Sequence, residues 1–375
     1  MQKGTLELIR RLNRDLVLGI IRAGQPVSRA EIARRLGLSR STVSAIVDEF
    51  IAKHFVVESG LGASTKEGGR RAIELSFNPD SGYGVGIELQ RGGLKLCIAN
   101  LDGAVCFQQT AVSTDNCSEA VSRHIAEAVR QAGLTMEQLI AVGVSVPGLT
   151  DSLNGIIVDS PVLGWKGIAF AAELESMINV PVFLNNDVNC AALGERWLGA
   201  VKQIDDFIYF YIGHGVGMAL VAGGQLVYGK DYMAGEIAYF AQTADLSGHI
   251  PVNRLGDFGV YEKKVSISGL TGRGAGDTLE ALFQGFAEGR EPNVRVVKEL
   301  IEDLSLGIAN SVSLLNPEKV IIGGDTAPYI APFLNELQCN VSQLTPIRTG
   351  IELSQLGTCA SVLGAIAYGL ERVRM

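Results

Sequence analysis

The residues best equipped for chemistry lie in FLNNDVNCAALGE (183–195), where Asp187 stands among asparagines just ahead of an alanine-rich helix start. A carboxylate flanked by amides can take a proton from a hydroxyl, or it can accept a hydrogen bond from that hydroxyl and leave it intact. The first makes an enzyme, the second a sensor. A second polar run, SRSTVS (39–44), opens a helical pattern and carries Arg40. Hydroxyls and a guanidinium at a helix start suit phosphates and base edges.

The elements around these runs must come from a chain of 375 residues, too long for one small core, so two or three domains are expected. A composition of 47% hydrophobic and 19% charged residues is that of an ordinary soluble globular protein. The net charge of −8 argues against nucleic acid until it is divided along the chain. Residues 1–75 carry 13 Lys+Arg against 8 Asp+Glu, and the remainder carries 19 against 32. A basic head on an acidic body confines any contact with an anionic polymer to the head. The six cysteines show no C-x-x-C pair and the start MQKGTLELIRRLNRD is no signal peptide, so reduced thiols in a cytoplasmic protein are expected. The most apolar run, FIYFYIGHGVGMALVAGG, contains His214 and several glycines. It reads as strand, turn and strand, and a membrane span is not expected.

In the head, Ile32, Ala33 and Leu36 form one short apolar face, Gly37 breaks it, and Val43, Ile46, Val47 and Phe50 form the next. Ser28 is the expected N-cap of the first helix with Glu31 as capping-box partner, and Ser39 caps the second. The spacing resembles the helix-turn-helix of bacterial regulators, with Ala33 allowing close approach, Gly37 taking the positive-φ turn and Val43 packing back. That arrangement puts the second helix in the major groove, with Ser39, Arg40, Ser41, Thr42 and Ser44 as the DNA-binding residues. The segment FVVESGLGASTKEGGRRAIELSFN then reads as a wing, whose Arg70 and Arg71 suit a narrow minor groove. An apolar helix around Leu6 to Ile21 braces this unit.

From Tyr83 the texture changes to short β-runs, glycine turns and amphipathic helices. YGVGIELQRGGLKLCIANLDGAVCFQQTAV reads as three antiparallel strands, followed by a helix near Glu119–Ala132 and the buried strand of LIAVGVSVPG. VPVFLNNDVN is a strand with polar residues at its C-terminal end, where α/β folds place ligands. DDFIYFYIGHGVGMALVAGGQLVYG repeats the strand–turn–strand theme, which points to two related lobes with a cleft between them.

The linear order of SVPGLTD (145–151), LGWKG (163–167), NNDVNCAALGE (185–195), GHGVG (213–217), GEIAY (235–239) and LLNPEKVIIGGD (314–325) resembles the ROK family of repressors and sugar kinases. Each motif alone is weak; their order and spacing together are specific, over nearly the whole chain. The layout is most similar to the xylose-repressor branch. The resemblance implies an α/β chain: a winged helix-turn-helix in 1–80, then a two-lobed actin/hexokinase-like body. The first lobe would comprise 81–190 plus 362–375 and the second 191–361.

The kinase branch carries a D-x-G-x-T loop for phosphate and Mg²⁺. Here the matching residues are Glu88, Leu89, Gln90, Arg91 and Gly92, so the close-approach glycine has become Gln90. His214 replaces the threonine of the second phosphate loop, whose glycines are expected to remain only for the turn. No ATP use and no catalysis are expected, and Asp187, which matches the family's catalytic base, becomes a grip on a hydroxyl. The family's zinc ligands are a histidine and three cysteines; their places hold Tyr239, Asn253, Leu255 and Val260, so no metal is expected. The resemblance leaves Asn186, Asp187, Glu236, Tyr239 and Glu262 as ligand-binding residues, a set suited to a neutral sugar or polyol.

The sequence therefore reads as a DNA-binding regulator of carbohydrate-utilisation genes. It would act as a homodimer or tetramer on a palindromic double-stranded operator, with a sugar-like effector and without kinase activity. The rival readings are an active sugar kinase with a DNA-binding head, and a regulator controlled by a protein partner.

Overall fold

The computed structural model describes residues 2–61, 71–112, 117–246, 259–274 and 276–373. The chain divides into two compact units, Met1–Tyr83 with Asn100–Asp102, and Gly84–Ala99 with Gly103–Met375.

The first unit starts with helix α1 (Gln2–Gly24), strand β1 (Val27–Ser28) and the helix pair α2 (Arg29–Leu36) and α3 (Arg40–Ala52). Strands β2 (Val56–Leu61) and β3 (Ile73–Phe77) follow, in a sheet of order β1-β3-β2. The α2–α3 turn closes because Gly37 takes φ +64° and returns its N–H to the Ala33 carbonyl. Ile32, Val43 and Val47 are fully buried beneath it, with Val17 and Ile21 of α1. This unit's core is the apolar periodicity of its sequence, folded over.

The second unit holds two five-stranded sheets. One is ordered β11-β7-β4-β5-β6, from β4 (Tyr83–Gln90), β5 (Gly93–Asn100), β6 (Val105–Val112), β7 (Leu139–Val146) and β11 (Val182–Asn186). The other is ordered β14-β13-β12-β15-β16, from β12 (Phe207–Ile212), β13 (Val216–Ala222), β14 (Gln225–Leu226), β15 (Lys319–Gly323) and β16 (Gly350–Leu353). A small antiparallel sheet of β8 (Leu149–Asp151), β9 (Ile156–Ser160) and β10 (Trp165–Ile168) lies between β7 and β11 in sequence.

The helices of the first lobe are α4 (Ser118–Gln131), α5 (Phe170–Ile178) and α6 (Asp187–Leu198), the last running into the second lobe. The second lobe adds the short α7 (Thr243–Leu246), α8 (Glu262–Val265) and α9 (Ile267–Thr271), then α10 (Leu279–Ala287), α11 (Asn293–Leu315), α12 (Ala327–Ile330) and α13 (Leu334–Leu344). The long amphipathic α11 buries Val296, Val297, Leu300, Ile301, Leu304, Ile308 and Val312 against Ile208, Phe210, Val320 and Ile322 of the second sheet. The final helix α14 (Ala360–Arg372) returns to pack on α6 and β7. The buried Glu195 of α6 fixes this return. Its carboxylate accepts the Ser354 hydroxyl and the N–H groups of Ala200 (2.8 Å) and Leu356 (2.9 Å), so it is fully satisfied without a cation. These contacts leave the N-terminus of α6, with Asp187, at the C-terminal end of the parallel strands β7 and β11.

Candidate functional site

In the first unit the N-terminus of α3 is knitted by one hydroxyl. Ser39 Oγ accepts the Thr42 N–H at 3.1 Å and lies 2.9 Å from Ser41 Oγ and 2.8 Å from Thr42 Oγ1. Ser39, Arg40 and Ser41 are exposed, while Thr42 and Ser44 are half-buried. Ser28 caps α2 through the Glu31 N–H, as expected. The expected reciprocal half of that capping box is replaced: the Glu31 carboxylate pairs with Arg34 (2.6 Å) and Arg35 (2.7 Å), which pull it below the ordinary glutamate range. Arg29 is similarly taken by Asp48 and Glu58, and Arg14 and Lys53 by Glu49. Among the described residues Arg40 and the exposed Arg71 make no ion pair. Arg70, the other expected wing contact, lies outside the described residues.

In the second unit, β11 ends and α6 begins at the Asn185-Asn186-Asp187 run. Asn185 is fully buried: its Oδ1 accepts the Ser152 hydroxyl (3.1 Å), the Asn186 N–H (2.9 Å) and Asn189 Nδ2 (3.1 Å). Asn186, expected to bind ligand, is used as a cap. Its Oδ1 accepts the N–H groups of Val188 (2.9 Å) and Asn189 (3.2 Å), and its Nδ2 donates to the Gly148 carbonyl (3.0 Å). The Oδ1 of Asn186 is thus committed to capping α6, while its Nδ2 has a second N–H besides the one given to Gly148.

The Asp187 carboxylate accepts the Val188 N–H at 2.9 Å and is also held by its own backbone amide. The residue is half-buried. Burial pushes its carboxyl up to about 7, Glu88 adds to the rise, the Val188 amide opposes it, and Glu236 adds a smaller push. Glu236 opens onto solvent yet is walled by protein, and desolvation and then Glu262 raise it above the glutamate range. Glu262 is raised by burial, partly offset by the amides of Val216 and Gly259, which donate to Oε1 (3.3 Å) and Oε2 (3.4 Å). The expected ligand role of Glu262 therefore has a structural competitor on each oxygen. Tyr239 is half-buried in the 3₁₀ turn after Glu236, and the Tyr261 N–H bonded to the Ala238 carbonyl (3.1 Å) keeps that turn beside Glu262. Four carboxyls, Glu88, Asp187, Glu236 and Glu262, form an electrostatic chain.

The loops that the resemblance assigns to phosphate are occupied. Gln90 Nε2 donates to Glu88 Oε1 at 2.8 Å, and Lys95 Nζ stands 3.5 Å from Glu88 Oε2 while donating to the Thr358 carbonyl at 2.7 Å. With the turn at Arg91-Gly92, Glu88 stands opposite Lys95 across β4 and β5. The glycines of the second loop were expected to persist for the turn, but none of Gly213, Gly215 and Gly217 has positive φ. Close approach keeps two of them: a Cβ on Gly213 would stand 2.6 Å from the Tyr211 hydroxyl, and one on Gly217 2.9 Å from Val188 Cγ2. Tyr211 packs with Val188, Ala191 and Ala192. Its phenol is raised by burial and by the Asp187 and Asp325 carboxylates. It fills space between Asp187 and the Gly213–Gly217 turn, and no local sequence signal marks it.

Residues 84–371 match the model of the ROK family, and residues 16–62 match that of the MarR family. The xylose repressor of Caldicellulosiruptor bescii is 30% identical, over 97% of this chain and 96% of that protein. Among solved structures, a ROK family transcriptional regulator homologous to the E. coli MLC protein superposes with TM-score 0.79 at 22% identity, covering 96% of this chain and 95% of its own. A ROK hexokinase from Thermus thermophilus superposes with TM-score 0.68 at 24% identity, but spans 78% of this chain for 99% of its own. The first likeness includes the head and the second extends over the body alone. This chain belongs to the ROK family, with a MarR-like helix-turn-helix at its N-terminal end.

Proposed function

We propose that this protein is a DNA-binding transcriptional repressor of carbohydrate-utilisation genes, whose cleft grips a neutral sugar or polyol and performs no phosphoryl transfer. The observation that carries the reading is the filling of the first phosphate loop by Gln90, Glu88 and Lys95 while Asp187 stays a half-buried carboxylate. A chain of carboxyls repels a phosphorylated or acidic ligand and accepts hydrogen bonds from hydroxyls. The resemblance implies zinc, but the donors do not fit. Tyr239 offers a phenol and Val260 offers nothing, while Asn253 and Leu255 lie outside the described residues. The working molecule is thus a metal-free, nucleotide-free homodimer or tetramer, presenting two copies of α3 to a palindromic operator.

The relative named a xylose repressor makes xylose the first probe. In a melting screen of neutral sugars and polyols, at least one should raise the midpoint of the wild type. Asp187→Asn should abolish that rise and leave operator affinity intact; a body that no sugar stabilises is not a sugar sensor. A second reading, that of a kinase, draws on one observation: a carboxyl at about 7 is tuned for general base work. ATP-dependent phosphorylation of xylose or glucose by the purified protein would establish it.

A further inference from the structure

Among the contacts of the second lobe with the first is a loop that follows β13. The Val227 N–H bonds the Leu220 carbonyl (2.8 Å) and the Met218 N–H bonds the Gly235 carbonyl (3.1 Å), so the loop leaves and rejoins β13 two residues apart. The Ala234 N–H bonds the Tyr228 carbonyl (3.1 Å) and closes its base. Between these ties the Tyr228 hydroxyl accepts Asn185 Nδ2 at 3.2 Å and Arg372 Nη2 of α14 at 3.5 Å. The Tyr232 phenol faces the Asp151 carboxylate of β8, which raises the phenol while the phenol lowers the carboxyl. The two rings meet edge to face with centroids 5.9 Å apart.

Three features separate this from incidental packing. Both phenols meet side chains already held by the first lobe: Asn185 by the three donors to its Oδ1, and Asp151 by Asn154 and Leu153. Tyr232 sits at φ +59°, a left-handed conformation that a ring-bearing residue keeps only where its surroundings impose it. The loop also runs directly into Gly235 and Glu236, while its anchor Asn185 lies two residues before Asp187.

We propose that Tyr228 and Tyr232 form a clasp tying the 227–235 loop of the second lobe to the first, and that they are the positioning residues that set Glu236 against Asp187. The proposal rests on the cleft reading above. Neither tyrosine needs to touch the effector. The clasp fixes the gap that the effector spans, and so selects ligands whose hydroxyls match that gap.

The test uses the full chain with Tyr228→Phe and Tyr232→Phe, which keep both rings; Tyr228→Phe alone serves if the double variant melts. Amide exchange at Val227 and Ala234 should quicken by about tenfold or more. The Asp187 carboxyl, followed by NMR, should titrate lower than the wild type's value of about 7 as Glu236 moves away, while Glu88, Tyr211 and Cys190 stay beside it. Purely structural hydrogen bonds would quicken exchange and leave that titration in place. Unchanged exchange, or an unchanged titration, overturns the clasp. With xylose as probe, a melting rise present in the wild type and lost in the variant supports it. A wild type indifferent to xylose counts against that sugar as effector, while exchange and titration still decide the clasp.

Discussion

Of the two hairpins that the resemblance assigns to phosphate, β4–β5 is filled with side chains and β12–β13 is lined by glycines. In the first, Gln90 stands where a glycine would admit phosphate, and its amide is bonded to Glu88, itself paired with Lys95. In the second, the Gly213 N–H still bonds the Gly215 carbonyl (2.9 Å), and Gly213 and Gly217 lie under Tyr211 and Val188. The contrast is one of packing: a Cβ at Gly213 or Gly217 would strike Tyr211 or Val188, whereas the first hairpin accommodates the whole side chain of Gln90. Retention of a G-x-G-x-G run is therefore weak evidence for phosphate, and loss of a single close-approach glycine is strong evidence against it.

The filled hairpin can be broken by removing its cation. Glu88 and Lys95 are mostly buried, with side-chain exposures of 18% and 14%, and Glu88 Oε2 has no hydrogen-bond partner besides the facing ammonium. Lys95→Met should cost about 2–4 kcal/mol, because it leaves a carboxylate without its charge partner in a poorly solvated place. Adding Glu88→Gln should recover most of that loss, and urea unfolding of both single variants and the double variant measures the coupling. If Lys95→Met is neutral, the hairpin is not held by this pair, and the contrast between the two loops loses its first half.

The glycine-lined hairpin can be tested by filling one of its glycines. Gly217→Val drives two methyl groups toward Val188 of α6 and should cost about 1–3 kcal/mol. Gln90→Gly in the first hairpin should cost no more than about 1 kcal/mol, mostly through backbone entropy and one lost hydrogen bond. Equal costs would mean that packing does not discriminate between the loops. Thermal melts in the absence of any ligand suffice for both.

How far these features could be read from the sequence follows the distance over which each is determined. The head was legible because its caps, its turn glycine and its apolar faces are local: Ser28, Ser39 and Gly37 act within four residues of themselves. The motif departures at Glu88, Gln90 and Tyr239 were legible against the family pattern, whereas the Glu88–Lys95 pair depends on the turn falling at Arg91-Gly92, one residue away from the glycine pair that marks a turn in the sequence. Asn186 carried a local signal that was passed over, since an asparagine just before a helix start is a strong N-cap. Tyr211, Tyr228 and Tyr232 carried none. Each packs on or bonds residues about twenty or more positions away, and an aromatic looks the same in the sequence whether it fills a core or ties two elements together.

The smallest effect expected is also the one that reads the cleft most directly. Folded Asp187 binds its proton more tightly than an unfolded aspartate, so protonation stabilises the fold. That contribution is fully present below about pH 4 and is lost as pH rises through about 7. Effector binding runs the other way: the ionised carboxylate is the better acceptor of hydroxyl hydrogen bonds, so affinity should rise across the same interval. Glu88→Gln removes one of the carboxylates that oppose ionisation. It should move both transitions to lower pH, changing the pH-linked part of the stability by about 1 kcal/mol or less on top of the cost of leaving the Lys95 ammonium without its carboxylate. Melting midpoints between about pH 5 and pH 8, with and without the stabilising sugar, follow both curves. If the filled hairpin takes part in the cleft's electrostatics, Glu88→Gln shifts them together. If the curves stay where they are, Glu88 is only a strut, and the first hairpin has left the site altogether.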